Sequence, residues 1–207
     1  MPSRLRKPGS LVAAVAALAL LAVVWQVLPV SAATGPQAWD EGSVSYFDAS
    51  GMERTVGTAA ARWNASGAQV RLRRVDSVED AHVVVETDDG ELRKACGSDC
   101  LGYTTSIGRP SDGRTRILLA SELGGDPRAL SVWVAAHELG HVLGLRHRDG
   151  RTCSLMSEHA FDTRCAPSLA AEQATMDQLA CVPAPADVEV AAAIYGGRPA
   201  RLDPRCR

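Results

Sequence analysis

The sequence has no surplus of basic residues, no C-x2-C pair, no internal repeat and, beyond residue 40, no long low-complexity linker. The first absence argues against a nucleic-acid partner, which requires a positive footprint. Twenty-two Lys and Arg stand against 24 Asp and Glu, and setting aside Arg4, Arg6 and Lys7 of the N-terminus leaves a net charge of −5. The second absence weakens any zinc site built on cysteine. Without repeats, the 207 residues have room for one ordinary domain and hardly for two.

At the N-terminus the basic Arg4, Arg6 and Lys7 precede an apolar run from Leu11 to Leu28, followed by Val30-Ser31-Ala32-Ala33. A basic segment, an apolar core and small residues in that order describe a secretory signal peptide spanning 1–33. The alternative is a retained membrane anchor, because the run is at the short end of what crosses a bilayer. Either way residues 34–207 lie outside the cytoplasm, and membrane contact is expected only if that segment stays. The six cysteines, Cys96, Cys100, Cys153, Cys165, Cys181 and Cys206, form an even set, as in exported disulfide-bonded domains. They allow about 15 pairings, among which the sequence alone does not choose.

Alternation predicts strands at 43–47, 70–75 and 81–85, the last apolar and central, with further strands at 101–105, on an edge, and 116–119. His82, within one of these, has no partner nearby to complete a site and reads as a packed strand residue. Met52, Val56, Ala59, Ala60 and Trp63 share a helical face, which predicts a helix over 52–65 ending at an Asn64-Ala65-Ser66 sequon. Asp88-Asp89-Gly90 signals a turn. Gly124-Gly125 precedes a helix over 128–143, with Asp126 expected as N-cap and Pro127 at the first helical position. Helix is expected again at 168–180 and 186–195. This order predicts an α+β fold.

Residues 137–147 read His-Glu-Leu-Gly-His-Val-Leu-Gly-Leu-Arg-His. Positions i and i+4 share a helical face, so His137 and His141 can present both imidazoles to one ion. Gly144 tolerates the positive φ of a chain leaving a helix, and the resulting turn brings His147 back as a third ligand. Three neutral imidazoles leave a tetrahedral zinc ion one open position, as catalytic sites require. Zinc there would acidify water and polarise a carbonyl. Glu138, beside the first ligand, is placed to act as general base and then to carry the proton to a leaving amine.

This run resembles the metzincin signature H-E-x-x-H-x-x-G-x-x-H followed by a Met-turn, for which Met156 in Ser154-Leu155-Met156-Ser157 is the candidate. The resemblance implies a metzincin-like (zincin) catalytic domain, with a mixed twisted sheet, an active-site helix, a C-terminal helix and one catalytic Zn2+. It also implies that Met156 floors the histidines without ligating. The stretch from Trp63 to Gly196 is similar to matrixins and small bacterial snapalysins, and 186–196 to the closing helix of matrixins. Cys153 and Cys165 bracket Met156 as a snapalysin disulfide does, and with proximity this favours Cys96–Cys100, Cys153–Cys165 and Cys181–Cys206.

The departures are specific. Snapalysins carry Asp where His147 stands, matrixins carry Ser where Arg148 stands, and neither His82 nor His159 builds a structural zinc site. Residues 34–50 hold no cysteine switch, although Pro204-Arg205-Cys206 echoes one, and no astacin-like tyrosine follows Met156. The family implies extended peptide or protein substrates lying antiparallel to an edge strand within Leu101–Ser106, with Ser157–Arg164 lining a specificity pocket. Ca2+ at Asp88, Asp89 and Glu91 is a weaker expectation than a solvated turn.

Overall fold

A computed structural model describes residues 37–148, 154–158 and 182–200. The predicted leader, the helix expected at 168–180, most of the Ser157–Arg164 loop, His159, and Cys153, Cys165, Cys181 and Cys206 lie outside these residues.

Strand β1 (Ser43–Asp48), helix α1 (Glu53–Asn64), strands β2 (Arg71–Arg74) and β3 (Val83–Glu86), helix α2 (Asp89–Cys96), strands β4 (Gly102–Thr104) and β5 (Thr115–Leu119), and helices α3 (Ala129–Val142) and α4 (Pro185–Tyr195) follow in that order. The sheet runs β2-β1-β3-β5-β4. The first three pairings are parallel, and β4 alone runs antiparallel, on β5. The predicted α+β class and a mixed sheet are both present, and helix α3, bearing His137 and His141, contacts β4 and β5.

Two periodicities build the core. Val44 and Tyr46 of β1, Leu72 of β2, Val83 and Val85 of β3, and Ile117 and Leu119 of β5 alternate onto one buried face. Against it lie α1 and α3, which pack on each other. Helix α1 is amphipathic and turns Val56, Ala59, Ala60 and Trp63 inward, whereas α3 is buried around nearly its whole circumference. Trp63 is fully buried, and its indole donates to the Ala136 carbonyl at 2.8 Å, fixing where α1 crosses α3.

Three expectations are corrected. Asp88-Asp89-Gly90 starts helix α2 instead of making an isolated turn. Asp88 accepts from the Glu91 amide at 2.9 Å, so a residue that reads as turn chemistry serves as an N-cap. Helix α3 is not capped by Asp126. Ser131 Oγ accepts from the Arg128 amide at 2.9 Å and moves the start to Ala129, while exposed Asp126 pairs with Arg54. His82 lies just before β3 and not within it.

The Asn64 amide group donates to the Leu72 carbonyl at 2.9 Å and accepts from the Leu72 amide at 2.8 Å, tying the sequon asparagine to β2. Cys96 and Cys100 form the expected disulfide between the end of α2 and the approach to β4. No helix among the described residues is long and apolar enough to cross a membrane.

Replacing Trp63 by Ala removes a fully buried ring and its hydrogen bond. The expected loss is about 3–5 kcal/mol in denaturant unfolding. A loss below ~1 kcal/mol would show that the α1–α3 crossing does not depend on it.

Candidate metal centre

Helix α3 ends inside the protein, so its last carbonyls need partners other than water. Leu143 closes the helix and Gly144 follows at φ +93°. The Gly144 amide then donates to the His141 carbonyl at 2.9 Å and the Leu145 amide to the Gly140 carbonyl at 3.0 Å, the bond pair of a Schellman turn. A side chain at position 144 would strain this backbone, which is why glycine stands there. Two carbonyls remain. Val142 accepts from the Trp39 indole at 2.7 Å, and Leu143 from the Tyr195 hydroxyl at 3.0 Å.

The turn returns the chain so that His147 meets the helical histidines. Its Nε2 lies 3.2 Å from His137 Nε2 and 3.0 Å from His141 Nε2. His137 Nδ1 faces the Leu155 carbonyl at 2.7 Å, and His141 Nδ1 faces the Leu145 carbonyl at 2.8 Å. A carbonyl only accepts, so each Nδ1 carries the proton and each Nε2 presents a lone pair. His147 Nε2 therefore confronts two acceptors and can offer them one proton at most. Three imidazole nitrogens brought together in this way are a donor set that fits zinc, and the three residues can hold a metal ion. Burial, reinforced by neighbouring His141, holds His137 down to about 3, and burial also lowers His141. Both rings are therefore neutral and ready to ligate at ordinary pH.

Glu138 is buried, with its carboxylate against the edge strand. Thr104 donates to its Oε2 at 2.7 Å. A Cβ at Gly102 would fall 2.5 Å from Oε1, so only glycine lets β4 approach this closely. Burial pushes the carboxyl up to about 7, opposed by the Thr104 bond. Glu138, the three histidines, β4 and the Cys96–Cys100 bridge line one cleft of about 840 Å³.

Met156 is fully buried beneath α3, where a Cβ on Gly140 would come within 2.5 Å of its sulfur. The segment Ser154–Glu158 that carries it is anchored by Asp187, in the first turn of α4. This buried carboxylate accepts from Ser154 Oγ, from the Leu155 amide at 2.8 Å and from the Ala184 amide at 3.0 Å. Burial raises its pKa against those hydrogen bonds. The Arg148 amide donates to the Met156 carbonyl at 3.0 Å, joining the segment to the return from Gly144.

The structure thus brings Glu138, His137, His141, His147 and Met156 into one neighbourhood. Thr104, Gly102, Asp187 and Glu158 were not singled out from the sequence. Asp187 left a faint signal there, as an acidic residue in a predicted first turn. His82 belongs elsewhere, accepting from the Ser45 amide at 3.2 Å and stacking on Trp39. The weaker expectation of Ca2+ finds its carboxylates committed. Asp88 caps α2, Asp89 accepts from the Ser121 amide at 2.8 Å, and Glu91 makes a bidentate pair with Arg116 at 2.5 and 2.7 Å.

No protein-family model and no curated protein matches the chain. Among solved structures it is similar to the crystal structure of myroilysin, at 19% identity and a TM-score of 0.40, over 53% of this chain and 46% of that one. It is also similar to a second structure of myroilysin, at 17% and 0.38, over 53% and 52%. The chain spans about half the length of these structures. By its own geometry it is an α+β domain carrying a three-histidine group able to bind a metal.

The titrations oppose one another. His137 unfolded takes its proton near 6.5 but folded only near 3, so its contribution to stability is lost as pH falls through that window. Glu138 folded takes its proton near 7 but unfolded near 4.5, so it adds stability as pH falls between those values. Metal-free Glu138→Gln protein, lacking the second effect, is expected to lose melting temperature more steeply from pH 7 to about 4 than the metal-free wild type. Equal slopes would mean that Glu138 is already ionised in the folded protein.

Proposed function

We propose that this chain is an exported zinc-dependent endopeptidase of the metzincin type, with His137, His141 and His147 holding the metal and Glu138 acting as general base. The observation that carries this reading is the joining of a three-imidazole donor set, a buried near-neutral carboxylate and an antiparallel edge strand in one cleft.

Zinc held there supplies Lewis acidity, acidifying water and polarising a carbonyl. The chain's own residues do the rest. Glu138 has a pKa close to neutrality, so it can take a proton from attacking water and return it to the departing amine. Thr104 and Gly102 keep its carboxylate from swinging. Strand β4 is last in the sheet, leaving one backbone edge for an extended peptide, whose main chain supplies affinity while side-chain pockets supply selectivity. His147, where snapalysins carry Asp, favours a matrixin-like assignment within the metzincins. The Cys96–Cys100 bridge supports an oxidising, extracytoplasmic setting.

Glu138→Gln protein is expected to retain one zinc per chain while turnover of casein falls by roughly 10²–10⁴-fold. Wild-type hydrolysis of casein should stop with a chelator and return with zinc. Activity confined to cell-wall peptides would replace the endopeptidase reading with an amidase. Undiminished turnover in Glu138→Gln would remove the assigned base.

A further inference from the structure

The three imidazoles are supported unequally. His137 and His141 are buried, and each Nδ1 is held by a backbone carbonyl, from Leu155 and Leu145. His147 is exposed on the return loop, and its Nδ1 faces a side chain instead, Glu158 Oε1 at 3.3 Å. Glu158 lies two residues beyond Met156, at the far end of the segment whose Leu155 carbonyl orients His137. One five-residue strap, tied down by Asp187, thus reaches the far nitrogen of two of the three candidate ligands.

Building on the metal-centre reading above, we propose that Glu158 is a positioning residue for the metal site. Its carboxylate, facing Nδ1, holds the His147 ring in the tautomer with the proton on Nδ1 and Nε2 turned to the metal. Histidine ligands generally donate their second N–H to a carbonyl or carboxylate, which sets both tautomer and donor strength. Here the solvent-facing ligand is the one given the charged partner, which attracts a ring more strongly than a neutral carbonyl does. The pair has no evident purpose in folding. The two side chains are 44% and 68% exposed, and surface pairs of that kind contribute little to stability.

The test measures metal binding, with activity left out. Zinc competition against a chromogenic chelator, and the visible spectrum of the cobalt-loaded protein, are compared for wild type, Glu158→Gln, Glu158→Ala and a control at an exposed carboxylate at the start of α1, Glu53→Gln. Loss of the carboxylate is expected to weaken zinc binding roughly 10- to 100-fold. The Ala variant should be affected at least as much as the Gln variant, and both should shift the cobalt absorption bands. Melting of the metal-free variants should match wild type, and the control should bind as wild type does. If wild type binds one zinc tightly and both Glu158 variants match it in affinity and spectrum, the role of Glu158 is refuted while the three-histidine site stands. If wild type binds no stoichiometric zinc, or His137→Ala binds it as well as wild type, the metal-centre reading fails and this inference with it.

Discussion

A helix that stops inside a protein leaves its last four carbonyls with nothing in the helix to bond to, and α3 meets that constraint completely. Gly140 and His141 accept from the chain turning back at Gly144, Val142 accepts from Trp39, and Leu143 accepts from Tyr195. The first two bonds create the reversal that carries His147 toward the helix. The other two recruit an aromatic residue from before β1 and another from the end of α4. The His141 carbonyl also takes the Gly108 amide at 2.8 Å, joining the loop after β4 to the same place. The reversal that brings His147 to the helical histidines is therefore made by the same bonds that satisfy a helix terminus.

Burial then gives the site its electrical character. The same removal from water lowers His137 and raises Glu138, because in each case the uncharged form is preferred. With His141 lowered in the same way, all three side chains are biased toward their uncharged forms. Asp187 is under the same pressure, offset by hydrogen bonds from Ser154, Leu155 and Ala184. A carboxylate so surrounded orders the Met156 segment more firmly than solvent-exposed contacts would.

What could be read from the sequence was what is local. The i, i+4 histidines, the glycine three residues on and the alternating strands all follow from helical and strand periods, and these elements appear within a residue or two of where those periods place them. The errors arose where one residue type serves two local purposes. Asp88 suits a turn or an N-cap, and Asp126 competed with Ser131 for the start of α3. The supports of the site were illegible for a different reason. Thr104 reaches Glu138 across 34 positions, Asp187 reaches Leu155 across 32, and Trp39 reaches Val142 across 103. No window on the chain contains both partners of such a bond, and each partner alone is an ordinary residue.

The placement of Tyr195 and Asp187 also orders events in time. Ribosomal synthesis delivers the H-E-x-x-H turn some 50 residues before the hydroxyl that caps Leu143, the two being 52 positions apart. Until α4 emerges, the Leu143 carbonyl and the Leu155 amide lack these two partners. Chain order alone therefore makes these two ties the last of those described around the centre to become available.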